Sequence, residues 1–229
     1  MHRSLSMTLV GFLLIIGTTM AQKHHPNHHI DEKSAHSANE YMHRSSVDQL
    51  VQRFESPERD SYQQPEKVLD YLGNFHGKRI MDIGAGSGYF SIKLAQAGAT
   101  VIAADVNDEF QQHLKQRIEK EKLHEAVELR KLTYDNPQLK EKEVDIVFLS
   151  NTYHHIEDRE IYFAKVKRGI DLDGYLVIID YFKADLPVGP PVDHKVSMDQ
   201  IISELKIAGF NSFDVEVDLL PYQFIIVAK

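Results

Sequence analysis

An apolar stretch that runs into three alternating glycines constrains the fold of this chain more than any other feature. Residues 80–91 read Ile-Met-Asp-Ile-Gly-Ala-Gly-Ser-Gly-Tyr-Phe-Ser, and a second apolar stretch at 101–105 ends in Asp105. The pattern predicts a βαβ unit that binds a nucleoside, with a helix that begins near Tyr89 and adds a partial positive charge. Asp105 is then expected at the carboxyl edge of the sheet, where a carboxylate can accept hydrogen bonds from both ribose hydroxyls.

The spacing of the glycines separates two kinds of cofactor. A dinucleotide-binding turn follows G-x-G-x-x-G, whereas the third glycine here comes one residue early, which argues against a nicotinamide cofactor. The run G-x-G-x-G, with an acid two residues upstream, resembles motif I of the class I S-adenosylmethionine-dependent methyltransferases. The resemblance implies a Rossmann-like α/β fold, with a seven-stranded, mostly parallel sheet, helices on both faces and a short N-terminal helical lid. It also implies S-adenosylmethionine as the cofactor.

Later motifs agree with this family in order and spacing, so that the resemblance covers about residues 65–229. Strand three is expected near 128–132, and strand four, from 144, leads into the turn Asn151-Thr-Tyr-His-His. Strand five is expected to end at Asp180, and the last strands near 213–218 and 223–228. The resemblance implies cofactor contacts by Asp82, Gly84, Gly86, Gly88, Asp105, Val106, Asp135 and Asn151, with Asp135 as an acceptor for the adenine amine.

The charge of the chain argues against a nucleic-acid acceptor. The formal net charge is −8, and an acidic protein repels a phosphate backbone rather than attracting it. The turn after strand four also lacks the Asn-Pro-Pro-aromatic run of the nucleic-acid amino-methyltransferases. We therefore expect a small-molecule acceptor. The sequence does not rank a quinone-like or phenolic oxygen, an amine or a protein side chain as the acceptor, and it leaves the oligomeric state open.

Residues 1–21 predict a secretory signal, because one arginine precedes an apolar run that ends in Thr-Met-Ala. We expect an exported protein, periplasmic or extracellular, without a membrane span once the signal is cleaved; an uncleaved anchor is the alternative. Residues 22–44 form a histidine-rich, disordered linker in this interpretation, and residues 45–229 the methyltransferase domain. The linker is either a solvated tether or a capture site for zinc, copper or nickel. The histidines concerned are His24, His25, His28 and His29. We assign no metal to the catalytic domain.

Two helices are predicted ahead of the glycine motif. Ser45 can cap a helix that ends at Phe54, and a second helix begins at Pro65. They either pack against the sheet edge or cover the site, in which case Tyr62 and Gln63 line it.

The candidate catalytic residues come from the loops after strands four and five. Methyl transfer needs a nucleophile held in line, and a base only where that nucleophile is protonated. Histidine has a suitable pKa for such a base near neutrality. The catalytic candidates are Tyr153, His154 and His194, with His155, Asp180 and Tyr181 nearby, and one member of the His-His pair is expected to be structural. Two alternatives remain: an exported nucleoside- or metal-binding protein without turnover, and a nicotinamide-dependent oxidoreductase.

Overall fold

The structure is a computed structural model that describes residues 45–229. The predicted signal at 1–21 and the histidine-rich linker at 22–44 therefore lie outside the described residues. The helices are α1 (Val47–Phe54), α2 (Pro57–Gln63), α3 (Pro65–Leu72), α4 (Tyr89–Gln96), α5 (Asp108–Glu121), α6 (Arg159–Gly169) and α7 (Met198–Ile207). The strands are β1 (Arg79–Ile83), β2 (Thr100–Asp105), β3 (Val127–Lys131), β4 (Val144–Ser150), β5 (Ile170–Tyr181), β6 (Phe213–Glu216) and β7 (Gln223–Ala228). Short 3₁₀ turns span Tyr153–His155 and Val192–His194.

The seven strands form one sheet in the order β3-β2-β1-β4-β5-β7-β6. Strands β1 to β5 are parallel, and β7 runs antiparallel to both of its neighbours. The predicted seven-stranded, mostly parallel sheet with helices is confirmed. Because the chain moves outward from β1 to β3 and then returns to β4, the strand order reverses between β1 and β4, and ligands bind at the carboxyl side of such a reversal.

Two hydrophobic clusters cover the two faces of the sheet. Along β1, Met81 belongs to one cluster and its neighbour Ile80 to the other, and both side chains are fully buried. Strands buried on both faces read as continuous apolar runs, which is why β1, β2, β4 and β5 could be located from the sequence. The core therefore holds the strand ends, and the loops that follow them, in fixed positions.

The N-terminal helices differ from the prediction in two details. Ser46, not Ser45, caps α1, and it forms a capping box with Gln49. Helix α2 was not predicted, although Ser56 caps it and Pro57 occupies its first turn, both of which are helix-start signals. Tyr62 and Gln63 consequently lie in a helix. None of the helices within residues 45–229 is both long and apolar enough to cross a membrane.

Candidate active site

A cavity of about 460 Å³ lies at the carboxyl ends of the parallel strands. Residues from β1, β2, β4 and β5, and from the loops that follow β1 to β4, form its floor and walls. Side chains of α1 and α2, among them Leu50, Phe54, Arg59 and Tyr62, contribute to the same cavity. The N-terminal helices thus form part of the cavity wall.

The glycine loop between β1 and α4 brings backbone against this cavity at Gly84 and Gly86. Gly86 has φ +55°, and a Cβ added there would lie 3.6 Å from the Phe54 ring, which is ordinary van der Waals contact. At the other two glycines the obstacle is protein rather than ligand. An added Cβ would lie well under 3.0 Å from Thr152 at Gly84 and from Leu114 at Gly88. Only Gly86 therefore matches the expectation that glycine makes room for a ligand, and Gly88 is not part of the cavity wall.

Asp105 ends β2 and lines the cavity, as predicted for a ribose-binding acid. Its carboxylate accepts hydrogen bonds from the backbone N–H groups of Gly86 and Asn107, both at 2.8 Å. Burial raises the pKa of Asp105, while these two hydrogen bonds act in the opposite direction. Each carboxylate oxygen keeps a further lone pair for a ribose hydroxyl. Val106, the next residue, also lines the cavity.

Asp82 lies beneath the glycine loop and not in the cavity wall. It is 3% exposed and accepts a hydrogen bond of 2.5 Å from the Ser91 hydroxyl in α4. Burial raises its pKa to about 6. The acid of motif I therefore ties β1 to the helix that follows the loop.

Asp135, the predicted adenine-side acid, is not brought to the cavity. The turn after β3 directs its side chain to solvent, where a hydrogen bond with Thr133 lowers its pKa. Its backbone carbonyl accepts a hydrogen bond from Lys165. Thr133 and Tyr134, the preceding residues of the same turn, line the cavity instead.

Asn151, in contrast, does line the cavity, at the end of β4 and in a left-handed conformation with φ +58°. Its side-chain amide donates to Gln63 at 3.1 Å and accepts from Gln223. Gln63 and Gln223 are both fully buried. This amide cluster joins the end of α2 to β4 and β7, so that it ties this helix to the sheet.

Arg59 is a site residue that the sequence analysis missed. Its guanidinium lines the cavity, lies 4.0 Å from the Tyr89 ring centroid and donates to the Phe54 carbonyl at 3.1 Å. Burial lowers its pKa, and Asp82 is the one carboxylate whose charge opposes that effect. Within residues 45–229 the Arg59 guanidinium has no ion pair, and a buried cation of this kind favours an anionic ligand, such as the carboxylate of a bound amino acid. A lone arginine in a short polar helix carries no sequence signal for this role.

Tyr153, predicted as catalytic, points into the core rather than into the cavity. It is fully buried, stacks on Phe163 with ring centroids 4.8 Å apart, and donates its hydroxyl to Glu204 at 2.6 Å. Arg159 holds the same carboxylate at 2.7 Å. The 3₁₀ turn places His154 in the cavity wall and buries the side chain of Tyr153, the residue before it. The prediction that Tyr153 faces the site is therefore wrong.

The three histidines of the site come from the two 3₁₀ turns, and all line the cavity. His154 Nδ1 lies 3.0 Å from both carboxylate oxygens of Asp180. Burial lowers the pKa of His155 to about 3, with His154 and His194 acting in the same direction. His155 is therefore neutral near neutral pH. Within residues 45–229, no group of three or more His, Asp or Glu side chains is arranged to hold a metal ion.

Known proteins are similar to this chain over the same elements. A family model described as a methyltransferase domain matches residues 81–178. The crystal structure of an S-adenosylmethionine-dependent methyltransferase from Aquifex aeolicus superposes with a TM-score of 0.73 at 28% identity, covering 80% of this chain and 98% of that one. An S-adenosylmethionine-dependent methyltransferase from Mesorhizobium loti shares the fold at 17% identity and a TM-score of 0.59, over 72% and 95% of the two chains.

One curated relative, a tRNA U34 carboxymethyltransferase from Psychrobacter arcticus, is 49% identical over 41 residues. The match spans 18% of this chain and only 12% of the relative. Such a short segment carries no information on the acceptor.

The fold, the glycine loop with its acid, and these matches indicate an S-adenosylmethionine-dependent methyltransferase with the class I fold. S-adenosylmethionine is its cofactor. The site fits that cofactor in two respects: the backbone reaches the cavity at Gly86, and Arg59 offers a buried positive charge.

Proposed function

We propose that the protein transfers the methyl group of S-adenosylmethionine to a small molecule bound in the same cavity, by in-line displacement. The observation that carries the proposal is the cavity itself. It contains Asp105 and Gly86 at one end, and His154 and Tyr181 from the β4 and β5 ends at the other. Its volume of about 460 Å³ lies within the range of roughly 300–1,000 Å³ typical of small-molecule sites.

The residues at the first end are suited to the cofactor. Asp105 can accept hydrogen bonds from the ribose hydroxyls, and Gly86 lets the backbone approach the ligand. Arg59 can pair with the methionine carboxylate, which would neutralise a buried charge. When bound, the cofactor supplies an electrophilic methyl group on a sulfonium, so the protein has no leaving group to activate.

The N-terminal helices contribute to the positioning that such a displacement needs. Holding a nucleophile in line and near contact can contribute up to roughly 7–11 kcal/mol to lowering the barrier. Helices α1 and α2 contribute side chains to the cavity wall, and Tyr62 and Tyr181 line it as well. The acidic net charge of −8 speaks against a nucleic-acid acceptor.

Calorimetry with the purified chain tests the cofactor part of this proposal. We expect S-adenosylmethionine and S-adenosylhomocysteine to bind and NAD to give no heat. Asp105→Asn should weaken binding, whereas Asp108→Asn, which removes an exposed acid three residues further along, is the matched control. Binding of NAD alone would reject the proposal and favour an oxidoreductase.

Release of S-adenosylhomocysteine in the presence of small-molecule extracts tests turnover. Tight binding of the cofactor without any release would favour a binding protein instead.

We also propose, from the sequence alone, that the protein is exported. N-terminal sequencing of the native protein should then give a chain that starts at Gln22, and a full-length soluble chain would contradict the proposal.

A further inference from the structure

Asp180 and His154 form a carboxylate–imidazole pair at the end of the cavity opposite Asp105. Nδ1 of the imidazole lies 3.0 Å from both oxygens of the carboxylate, and the two side chains are 3% and 1% exposed. The residues belong to β5 and to the turn after β4, and these strands are parallel neighbours. Asp180 is held in turn by the backbone N–H of Tyr181 at 2.8 Å.

This geometry selects one form of the imidazole. An ionised carboxylate can only accept hydrogen bonds, so Nδ1 carries the proton. Nε2 then has a lone pair, and His154 is part of the cavity wall. A carboxylate in this position both orients the ring and stabilises the imidazolium that forms when Nε2 takes up a proton.

His155 and Tyr181, which also line the cavity, do not compete with the pair as proton acceptors. His155 stays neutral because burial lowers its pKa to about 3. His194 faces His155 from the second 3₁₀ turn, and Lys195, which donates to the Ala184 carbonyl at 2.7 Å, exerts its charge on Asp180. Burial and the hydrogen bond with Tyr62 raise the pKa of Tyr181, so this phenol stays protonated.

The charges at this end do not suit a cationic acceptor. In the described part of the cavity wall, the acidic residues are Asp105 and Glu109. They lie at the end of β2 and in the first turn of α5, and not in the turns that carry the histidines. Asp180 is committed to His154. Among the described residues, Asp180 is the buried carboxylate beside His154, and both of its oxygens already face Nδ1. An ammonium group would therefore compete with the imidazole for it, whereas a neutral hydroxyl finds a hydrogen-bond acceptor in Nε2.

We propose that Asp180 positions His154 to remove the proton of a hydroxyl group on the acceptor, so that the acceptor is a phenol or an enol and is methylated on oxygen. This inference rests on the proposed function. As the acceptor oxygen forms its bond to the methyl carbon, the carbon–sulfur bond breaks and its electron pair stays on sulfur. The O–H proton passes to Nε2, and the resulting imidazolium later releases it to solvent. An uncharged amine attacks through its own lone pair and needs no such base.

The first experiment measures which atom receives the methyl group. Methyl-labelled S-adenosylmethionine is incubated with phenol, 4-methylphenol and 4-nitrophenol, and with the anilines of the same shapes, and the products are identified by mass spectrometry. We expect methyl ethers from the phenols and no N-methylanilines. Methylation of the anilines with none of the phenols would overturn the inference while leaving the proposed function intact.

The second experiment tests the pair through Asp180→Asn and His154→Gln, with Asp185→Asn, an exposed acid in the following loop, as the control. General-base catalysis contributes about 10²–10⁴-fold, so kcat/KM for phenol should fall by at least 100-fold in both variants. The loss should be much smaller for 4-nitrophenol, which ionises readily without a base. The acidic limb of the pH profile should disappear in His154→Gln, and Asp180→Glu should restore part of the rate.

A readout without turnover separates the two proposals. Nitrogen NMR of the complex with S-adenosylhomocysteine should show His154 protonated on Nδ1, and a changed tautomer population in Asp180→Asn at unchanged affinity for S-adenosylhomocysteine. Protonation on Nε2, or equal losses with both nitro- and unsubstituted phenol, would overturn the role of the pair. Failure to bind S-adenosylhomocysteine at all would instead reject the proposed function and this inference with it.

Discussion

Gly86 and Gly88 should respond differently to alanine, because different atoms face each one. Gly86 and Gly88 both have positive φ, +55° and +84°. A left-handed backbone costs a non-glycine residue roughly 1–2 kcal/mol, so both substitutions carry this penalty. At Gly88 the new Cβ also meets the buried Leu114 side chain, and overpacking of a core adds about 1–3 kcal/mol. At Gly86 the methyl group comes no closer than 3.6 Å to Phe54, which is ordinary van der Waals contact.

We therefore expect Gly88→Ala to lower the free energy of unfolding by about 2–5 kcal/mol, and Gly86→Ala by only about 1–2 kcal/mol. For a domain of this size, 1 kcal/mol shifts Tm by about 2–4 °C, so the expected decreases are roughly 4–20 °C and 2–8 °C. Binding of S-adenosylhomocysteine should show the opposite order. Gly86→Ala should weaken it at least tenfold, since the methyl group occupies ligand space, whereas folded Gly88→Ala should bind nearly as well as the parent protein.

Thermal denaturation and calorimetry measure both quantities on the same samples. A double-mutant cycle of Gly88→Ala with Leu114→Ala adds a direct check of the contact. The combined loss of stability should be smaller than the sum of the single losses by about 1–3 kcal/mol, since removing Leu114 makes room for the new methyl group. Strict additivity, or a Gly88→Ala variant as stable as Gly86→Ala, would refute the reasoning.

Three further expectations concern single side chains. Asp105→Asn should weaken binding of S-adenosylhomocysteine by about 1.5–3 kcal/mol for each charge-assisted hydrogen bond it loses, as measured by calorimetry; unchanged affinity would remove Asp105 from the site. Tyr153→Phe should lower stability by about 1 kcal/mol in urea unfolding and leave kcat within twofold, because its hydroxyl binds Glu204 in the core; a large fall in kcat at normal affinity would return Tyr153 to the catalytic candidates. The hydrogen bond from Arg130 lowers the pKa of Glu143 to about 2 from its usual 4.5, so the stability it contributes is present above about pH 4.5 and is lost as the pH falls towards 2. Glu143→Gln should flatten the stability profile in that window, and an unaltered profile would contradict the assignment.

Much of the fold could be predicted because its signals are local. Parallel strands that are buried on both faces read as continuous apolar runs. The runs near 80–83, 101–105 and 144–150 could therefore be recognised as such strands from the sequence. Helix α2 was missed for the opposite reason. Its seven residues from Pro57 carry only two buried side chains, Arg59 and Gln63, so no apolar stripe marks it.

The candidate site was predictable only where one short segment builds it. Gly86 and Asp105 lie in a single βαβ unit, and the structure brings both to the cavity. Asp135 and Tyr153 were assigned from their positions in the turns after β3 and β4. One residue more or less along a tight turn changes the direction of a side chain from cavity to solvent or core, and sequence spacing does not resolve that difference.

By itself, the sequence determined the sheet, the glycine loop and the acid at the end of β2, because hydrophobic periodicity and the steric requirements of positive φ act within a few residues of the chain. Only the tertiary structure decided which side chains meet across the cavity. His154 and Asp180 are 26 residues apart, and Arg59 reaches Tyr89 from a separate helix. Such pairs depend on strand register and on how the N-terminal helices dock, and both are set by packing over the whole core rather than by any local pattern.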